Sequence, residues 1–420
     1  MSLQRCVSYF CLSRKSKLKL QETQAMQQFN TVYNQFLKLV PRAPFQQCVD
    51  HHNGDHRVRT MSCWSQFGIM TYAQVTGRTS LRDIEVGFTN KENYFYHLGL
   101  KSVSRSTLAD ANSNRNWHIY EELFETVLVR CRDLTPKHKF RFKNPLKSFD
   151  ATTISLCLKT FPWAKFRQAK GAIKIHTRLD HSGQIPDFVH VTTGKTHEIK
   201  VARTLELEAD DILVFDRAMI DYKWLHQIDE QGALFVTRAK DNMSYRVLRK
   251  PEHQLPMLTD YARKQGILKD QIICIVGTKA DDIPIELRLV VYRDPETGKI
   301  YKFMTNIFHL AALTIAQIYK ARWEIETFFK WIKQHLKIKT FLGTSENAVM
   351  TQIWITMITY LLLAYLKYQT KCRYSLLHIQ RLLRENIFIR LSLHALLITN
   401  WKDSDRQYSP LDPAQLVLQF

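Results

Sequence analysis

The chain has 420 residues, 45% of them hydrophobic, and no low-complexity run, which is enough for two or three domains and excludes a disordered tract. Sixty Lys and Arg against thirty-nine Asp and Glu give a formal charge of +21, a field that attracts polyanions. That charge is spread along the chain among Tyr, Phe and Trp, with no single basic amphipathic anchor, so nucleic acid is favoured over a membrane surface.

At the N-terminus Arg5 and a short apolar patch, Val7 to Leu12, are cut off by Arg14-Lys15-Ser16-Lys17, too short for a secretory signal. The longest apolar run, Ile353 to Leu366, falls short of the roughly 18 to 20 residues that a bilayer demands and is expected to be a buried helix. A cytoplasmic protein with no membrane partner is the expectation. Eight cysteines without a CxxC pair fit reduced, mostly buried thiols. Cys48, His51, His52, His56 and Cys63 lie close together, yet their spacing matches no standard zinc finger, and the stretch reads as a polar loop.

Residues 21 to 140 read as helical, with polar loops at Pro41 to Pro44 and His51 to Asp55. Ser80 caps a short helix, and a turn around Gly99 leads to a second helix that starts at Ser104. Two short helices joined in this way resemble a helix-turn-helix, with Arg105, Ser106, Thr107, Asn112 and Arg115 at or near the second, where side chains meet bases or phosphates. An ordinary helical bundle with capped ends accounts for the same pattern. The basic connector Lys137 to Lys143 marks the end of this helical domain, residues 1–140.

The period then changes. Ser148 to Leu158, Ala172 to Leu179 and Ile185 to Thr193 read as three antiparallel strands, followed by a helix at Lys195 to Leu207 and a continuous apolar strand, Ile212 to Phe215, of the kind buried on both faces. A helix from Asp221 to Glu230 and a strand from Ala233 to Thr237 complete a β-β-β-α-β-α-β order, that of a ribonuclease-H-like α/β fold with a mixed sheet. Residues 145–240 form its first part. A β-rich insertion, 241–304, carries strands at Tyr245 to Leu248, Gln271 to Val276, Ile285 to Tyr292 and Ile300 to Asn306. The core resumes over 305–345, and a helical tail occupies 346–420.

Thr314 to Lys339 predicts one uninterrupted helix, opened by a Thr314/Gln317 capping box. Ile318, Ile325, Phe329, Ile332 and Leu336 fall in a stripe roughly 60° wide, and Tyr319, Arg322, Glu326 and Lys333 in a second stripe about 80° away. In a mixed sheet of this order the first and fourth strands are neighbours, so Asp150 and Asp216 converge, and the helix brings Glu326 to them. Three carboxylates so placed suit two Mg²⁺ or Mn²⁺ ions, which activate an attacking oxygen and stabilise a leaving one in phosphodiester attack. Singly, each has a plainer use: Asp150 bonds a backbone amide, Asp216 pairs with Arg217, and Glu326 pairs with Arg322 or Lys330. Asp187, Asp211, Asp221 and Asp241 show that acidity alone decides nothing; placement singles out the three.

The spacing Tyr319-x(2)-Arg322-x(3)-Glu326-x(6)-Lys333 resembles the Tyr-Arg-Glu-Lys signature of the fourth family of bacterial insertion-sequence transposases, of the DDE type. FDATTISLCL around Asp150 and LVFDRAM around Asp216 are similar to the blocks that hold its catalytic aspartates, and the likeness runs from about Phe29 to Leu366. The resemblance implies a cut-and-paste transposase with Asp150, Asp216 and Glu326 as its metal-binding triad and Tyr319, Arg322 and Lys333 at DNA phosphates. It also implies terminal inverted repeats and target DNA as partners, and a homodimer on DNA. Family members that form a DNA hairpin can hold a flipped base with a Trp in the insertion; residues 241–304 contain none, leaving Tyr245, Tyr261, Tyr292 or Tyr301 for stacking. The rival readings are a DNA-binding relic without catalysis and a metal-dependent nuclease that does not join strands.

Overall fold

A computed structural model describes residues 30–398 apart from 102, 168–169, 250–251, 277–285 and 337–339; the basic N-terminal stretch around Arg5 lies outside the described residues. Two compact units divide the chain, 1–134 with 335–420, and 135–334. The first begins with helices α1 (Val32–Leu37), α2 (Arg42–His51), α3 (Cys63–Thr76), α4 (Leu81–Phe88), α5 (Glu92–Leu98), α6 (Arg105–Asn114) and α7 (His118–Arg132). Their starts are chemical: Thr31, Ser62 and Ser80 each accept a hydrogen bond from the backbone N–H three residues on, as N-caps do. Gly77 and Gly99 close α3 and α5 in the left-handed region that disfavours other residues. The cap at Ser80 stands where the sequence puts it, but α5 intervenes before Arg105, so three short helices replace the expected two.

The second unit is built on a sheet whose first strands are β1 (Leu146–Leu156), β2 (Lys165–Arg167), β3 (Lys170–Asp180) and β4 (Ile185–Thr193). After α8 (Glu198–Ala202) come β5 (Ile212–Phe215), α9 (Tyr222–Glu230) and β6 (Leu234–Arg238). Strands β1, β3 and β4 pair antiparallel, whereas β1, β5 and β6 are parallel neighbours. The mixed α/β arrangement fits a ribonuclease-H-like core. All four residues of β5 are fully buried, as its unbroken apolar run predicts. The expected 195–207 helix shrinks to the five residues of α8, and β2 was not foreseen.

The expected insertion extends the same sheet. Strands β7 (Tyr245–Val247), β8 (Ile267–Ile275), β9 (Leu287–Arg293) and β10 (Ile300–Thr305), with α10 (Asp260–Lys264) between β7 and β8, follow β6 in the order β6-β10-β9-β8-β7. Residues 241–304 thus lengthen the core, because β10 pairs with β6 through Met304 and Thr237. Arg288, wholly buried, grips Asp270 with two 2.8 Å bonds and donates to the carbonyls of Ile307 and Leu310. This fork joins β8 and β9 to the segment that leads into α11 (Ala312–Ala321) and α12 (Trp323–His335).

Each face of the sheet carries its own core. On one, Phe149, Leu213, Phe215 and Phe235 meet Trp224, Leu225 and Ile228 of α9; on the other, Leu146, Ile212, Val214 and Val236 meet Ala312, Ile315 and Ile318 of α11. The period of two along β1 and β5 generates this division. The single helix expected from Thr314 to Lys339 starts instead at Ala312 and breaks at Arg322, and no capping box forms at Thr314. Burial of Ala312 and Ile315 sets the start, and Ala311 at the cap donates no side chain to it. Residues 337–339 lie outside the described residues. The predicted apolar stripe is intact, with Ile318, Ile325, Phe329, Ile332 and Leu336 all buried.

Helices α13 (Glu346–Gln369), α14 (Leu376–Asn386) and α15 (Leu393–Ile398) return to the first unit, so the tail and the N-terminal helices share one core. By length and composition α13 passes for a membrane span, but 89% of its apolar window is buried within the protein, in agreement with the expectation for Ile353 to Leu366. Cys48, Cys63, Cys131 and Cys372 are buried free thiols, while Cys157 is exposed.

Candidate active site

Two carboxylates are set by strand register. Phe149 of β1 pairs in parallel with Phe215 of β5, so Asp150 and Asp216, each one residue further on, stand side by side on adjoining chains. Phe149 and Phe215 point into one core, so Asp150 and Asp216 share the opposite face, the one that α11 covers. Asp216 closes β5 and caps a 3₁₀ turn, its Oδ1 accepting from Ala218 N at 2.9 Å. Asp150 Oδ1 accepts from Ala151 N at 2.7 Å.

Arg322, at the break between α11 and α12, joins this pair to the third carboxylate. Its Nη1 donates to Asp150 Oδ2 at 3.1 Å and its Nη2 to Glu326 Oε1 at 2.6 Å. At this break one guanidinium reaches both carboxylates, and Arg322 is buried. Burial pushes the Asp150 carboxyl up to about 6; the Ala151 amide and Arg322 pull it down, and Glu326 and Asp216 push it up again. Asp216 and Glu326 are thus near enough to act on Asp150 through space.

Tyr319 packs on Phe303 at 4.8 Å, and the Arg322 guanidinium lies 5.8 Å from its ring centre. Burial raises its hydroxyl pKa, opposed by Arg322 and reinforced by Asp216. Lys333 Nζ donates to Thr153 O of β1 at 3.3 Å. The stripe Tyr319, Arg322, Glu326 and Lys333 therefore runs alongside β1 beyond Asp150.

The plainer partners fall out differently. Arg217 pairs with Asp241 at 2.7 Å, and among the described residues Asp216 forms no ion pair. Asp187 pairs with Arg178, Asp211 with Lys147 and Asp221 with Arg203, which neutralises the other acids weighed in the sequence. Glu326 does pair with Arg322, but the same guanidinium serves Asp150.

Three hard oxygen donors on one face suit a divalent cation of the Mg²⁺ or Mn²⁺ class. After burial, Glu326 and Asp216 add to the upward shift of the Asp150 carboxyl, as gathered carboxylates do. In this conformation Arg322 supplies the positive charge among them. The donor types fit a hard divalent ion, although the ligand oxygens of the three do not all come within 4.8 Å of one another while Arg322 bridges Asp150 and Glu326.

One functional group escaped the sequence. His181, in the turn between β3 and β4, holds Ser148 Oγ at 2.7 Å with Nε2 and Glu324 Oε2 at 3.0 Å with Nδ1. Ser148 and Glu324 each stand two residues before a carboxylate of the trio. The WEIE sequence hints at Glu324, but no local signal points to His181.

The expected base-reading residues divide by burial. Arg105 and Ser106 are exposed and Thr107 is half-buried near the start of α6. Asn112 and Arg115 lie inside: Gln66 Nε2 donates to Asn112 Oδ1 at 2.8 Å, and Arg115 donates to Gln66 Oε1 at 2.8 Å and Met61 O at 2.6 Å. In this structure these two are buried and bonded within the helical unit, unlike the exposed Arg105 and Ser106. Of the tyrosines considered for stacking, Tyr261 is exposed, and Tyr245, Tyr292 and Tyr301 pack against the cores.

Comparison with known proteins gives the family. The family model described as the transposase DDE domain matches residues 142–362, and one described as a domain of unknown function matches 28–101. The chain is 33% identical over 273 residues to a probable transposase for insertion sequence element IS5377 of Geobacillus stearothermophilus, covering 65% of this chain and 70% of that one. A Sinorhizobium fredii protein named as transposase y4zB is 32% identical over 262 residues, 62% of this chain and 71% of its own. A Synechocystis protein named as a transposase for insertion sequence element IS4SA is 25% identical over 288 residues, 66% of this chain and 76% of its own.

Proposed function

Because the chain belongs to the family of DDE-domain transposases, and so is an enzyme that acts on DNA for an insertion sequence, we propose that it cuts and pastes its element at Asp150, Asp216 and Glu326. The observation that carries this reading is the parallel register of Phe149 with Phe215, which sets the two aspartates side by side while Arg322 ties Asp150 to Glu326.

Asp150, Asp216 and Glu326 would hold two Mg²⁺ or Mn²⁺ ions, which would lower the pKa of an attacking hydroxyl or water and offset charge on the leaving oxygen. Arg322, Tyr319 and Lys333, strung along β1, orient phosphates of the cleaved end, with the two cations offsetting phosphate charge. The Phe149–Phe215 register supports this reading by keeping Asp150 beside Asp216, which matters because phosphoryl transfer is chiefly a positioning problem. Water attacks first and frees a 3′-hydroxyl, which then attacks target DNA, expelling a 3′-oxygen of the target strand. Arg105, Ser106 and Thr107 contact the terminal inverted repeats. The protein works as a homodimer on DNA in the bacterial cytoplasm.

The test is to incubate protein, Mg²⁺ and a labelled element end beside an Asp216→Ala variant. A 3′-hydroxyl product joined to target DNA, absent in the variant, supports cut-and-paste transposition. Cleavage without joining would instead mark a nuclease, and binding without cleavage a DNA-binding relic.

A further inference from the structure

We infer that the helical unit carries a second metal site, for a zinc-like transition ion, at His51, His52 and Glu122. Among the described residues this is the trio of His, Cys, Asp or Glu side chains whose ligand atoms all lie within 4.8 Å of one another. Glu122 Oε2, on α7, sits 3.0 Å from both His51 Nδ1 and His52 Nε2. Four ligands at bonds of about 2.0–2.2 Å stand about 3.3–3.6 Å apart in a tetrahedron, so both hydrogen-bonded separations are about half an ångström short of a metal-bound edge.

The backbone explains how neighbours in sequence converge. His51 ends α2, and His52, its cap, has φ −99° and ψ 10°, so one ring offers Nδ1 and the other Nε2 to the same oxygen. Asn53 follows in the left-handed region, and a Cβ at Gly54 would lie 2.4 Å from Ile119 Cδ1 of α7 and 2.7 Å from Cys63 Sγ. The turn after His52 is therefore packed tightly against the helix that supplies Glu122. His118 stacks near His52, with ring centres 6.0 Å apart, and Asn116 Nδ2 reaches His52 Nδ1 only at 3.5 Å, too long to hold the imidazole firmly in the tautomer that opposes a metal.

Two imidazoles and one carboxylate suit Zn²⁺, Co²⁺ or Ni²⁺ better than Mg²⁺, which prefers oxygen. The exposure of His51 leaves the fourth position to water. Cys48 and Cys63, close in sequence, contribute no sulfur to the trio. The bound ion pins the C-terminal end of α2 to α7 and strengthens the helical unit, independently of the carboxylates on the sheet.

Full-length protein stripped with a chelator is titrated with Co²⁺, followed by visible absorption, and with Zn²⁺, followed by calorimetry and thermal unfolding. Wild type, His52→Ala, Glu122→Gln, His56→Ala and Asp216→Asn are compared, with circular dichroism to verify folding. The expected result is one ion bound at micromolar or lower concentration with a cobalt spectrum of histidine ligation. Zn²⁺ raises the melting temperature by several degrees, and affinity falls at least tenfold in His52→Ala and Glu122→Gln but not in His56→Ala or Asp216→Asn. Binding weaker than millimolar, binding unaffected by the His52 and Glu122 changes, or loss in Asp216→Asn overturns the site.

Discussion

His181 Nδ1 lies 3.0 Å from Glu324 Oε2, and through this contact the β3–β4 turn holds the start of α12. The other ring nitrogen meets Ser148 Oγ at 2.7 Å, so a single imidazole spans the strand that bears Asp150 and the helix that bears Glu326. Ser148 is wholly buried and so acts in positioning, unable to reach a substrate. Burial raises the Glu324 carboxyl pKa, but His181, Gln184 and Lys139 outweigh it and leave Glu324 below its ordinary range. Replacing His181 by Ala strands the buried Ser148 hydroxyl and takes from Glu324 its histidine partner, at a cost of about 1–3 kcal/mol. The expected outcome is a tenfold or greater fall in the rate of DNA cleavage with DNA affinity unchanged, measured by single-turnover cutting and by band-shift titration. An unchanged cleavage rate would show that the link is only structural.

Arg322 has two tasks that compete. It neutralises Asp150 and Glu326 here, and the proposed chemistry needs metal between those carboxylates. In an Arg322→Ala variant the carboxylates repel without a partner, so the metal-free protein loses about 1–3 kcal/mol. Mg²⁺ then meets no rival cation. Added Mg²⁺ should raise the melting temperature of Arg322→Ala more than that of wild type, although the variant cuts DNA poorly. Equal shifts in the two proteins would refute the competition.

Much of this site was legible because its signals are local. The apolar run Ile212 to Phe215 marks a strand buried on both faces, and Asp216 directly after it ends that strand; the spacing from Tyr319 to Lys333 places four polar side chains on one stripe. The helix break at Arg322 was not legible, since no Gly or Pro announces it. Nor does alternation along β10 say that it pairs with β6, so strands read as an insertion proved to lengthen the sheet. The burial of Asn112 and Arg115 was hidden for a related reason: polar residues on or just after a short helix look exposed until Gln66, far away in the chain, bonds them.

His176 gives the β-unit a dependence on pH. It is wholly buried on β3, its Nε2 bonds Thr192 Oγ1 at 2.9 Å and, among the described residues, its Nδ1 has no hydrogen-bond partner. Burial, with His190 and Lys174 adding and Glu198 opposing, lowers its pKa from 6.5 to about 4. In the unfolded chain the ring protonates at a higher pH than in the folded one, so its contribution is complete above pH 6.5 and disappears as pH falls through about 4. The loss amounts to about 3 kcal/mol. Asp150, raised from 3.8 to about 6, acts in the opposite sense: its contribution is present at low pH and fades as pH rises through about 6. The His176 effect is therefore read as a difference: denaturant unfolding between pH 7 and pH 4 should fall less steeply in His176→Phe than in wild type. Parallel pH profiles would contradict it.

Arg105 and Arg115 offer a test of which arginines meet DNA. Arg105 is exposed near the start of α6, where Glu85 Oε1 accepts from its backbone N–H at 2.9 Å and leaves the guanidinium outside. Arg115 is spent internally on Gln66 and Met61, and Tyr120 shares the same Gln66 oxygen. If Arg105 neutralises a phosphate, Arg105→Ala should weaken binding to element ends and reduce the slope of log affinity against log salt by about 1, with stability unchanged. Arg115→Ala should do the reverse, costing about 2–3 kcal/mol of stability by orphaning buried acceptors while leaving the salt slope alone. Salt-dependent anisotropy and denaturant unfolding on both variants decide the matter. A reduced slope in Arg115→Ala would mean that the helical unit opens on DNA to release it, whereas an unchanged slope in Arg105→Ala would move the phosphate contact to another cation.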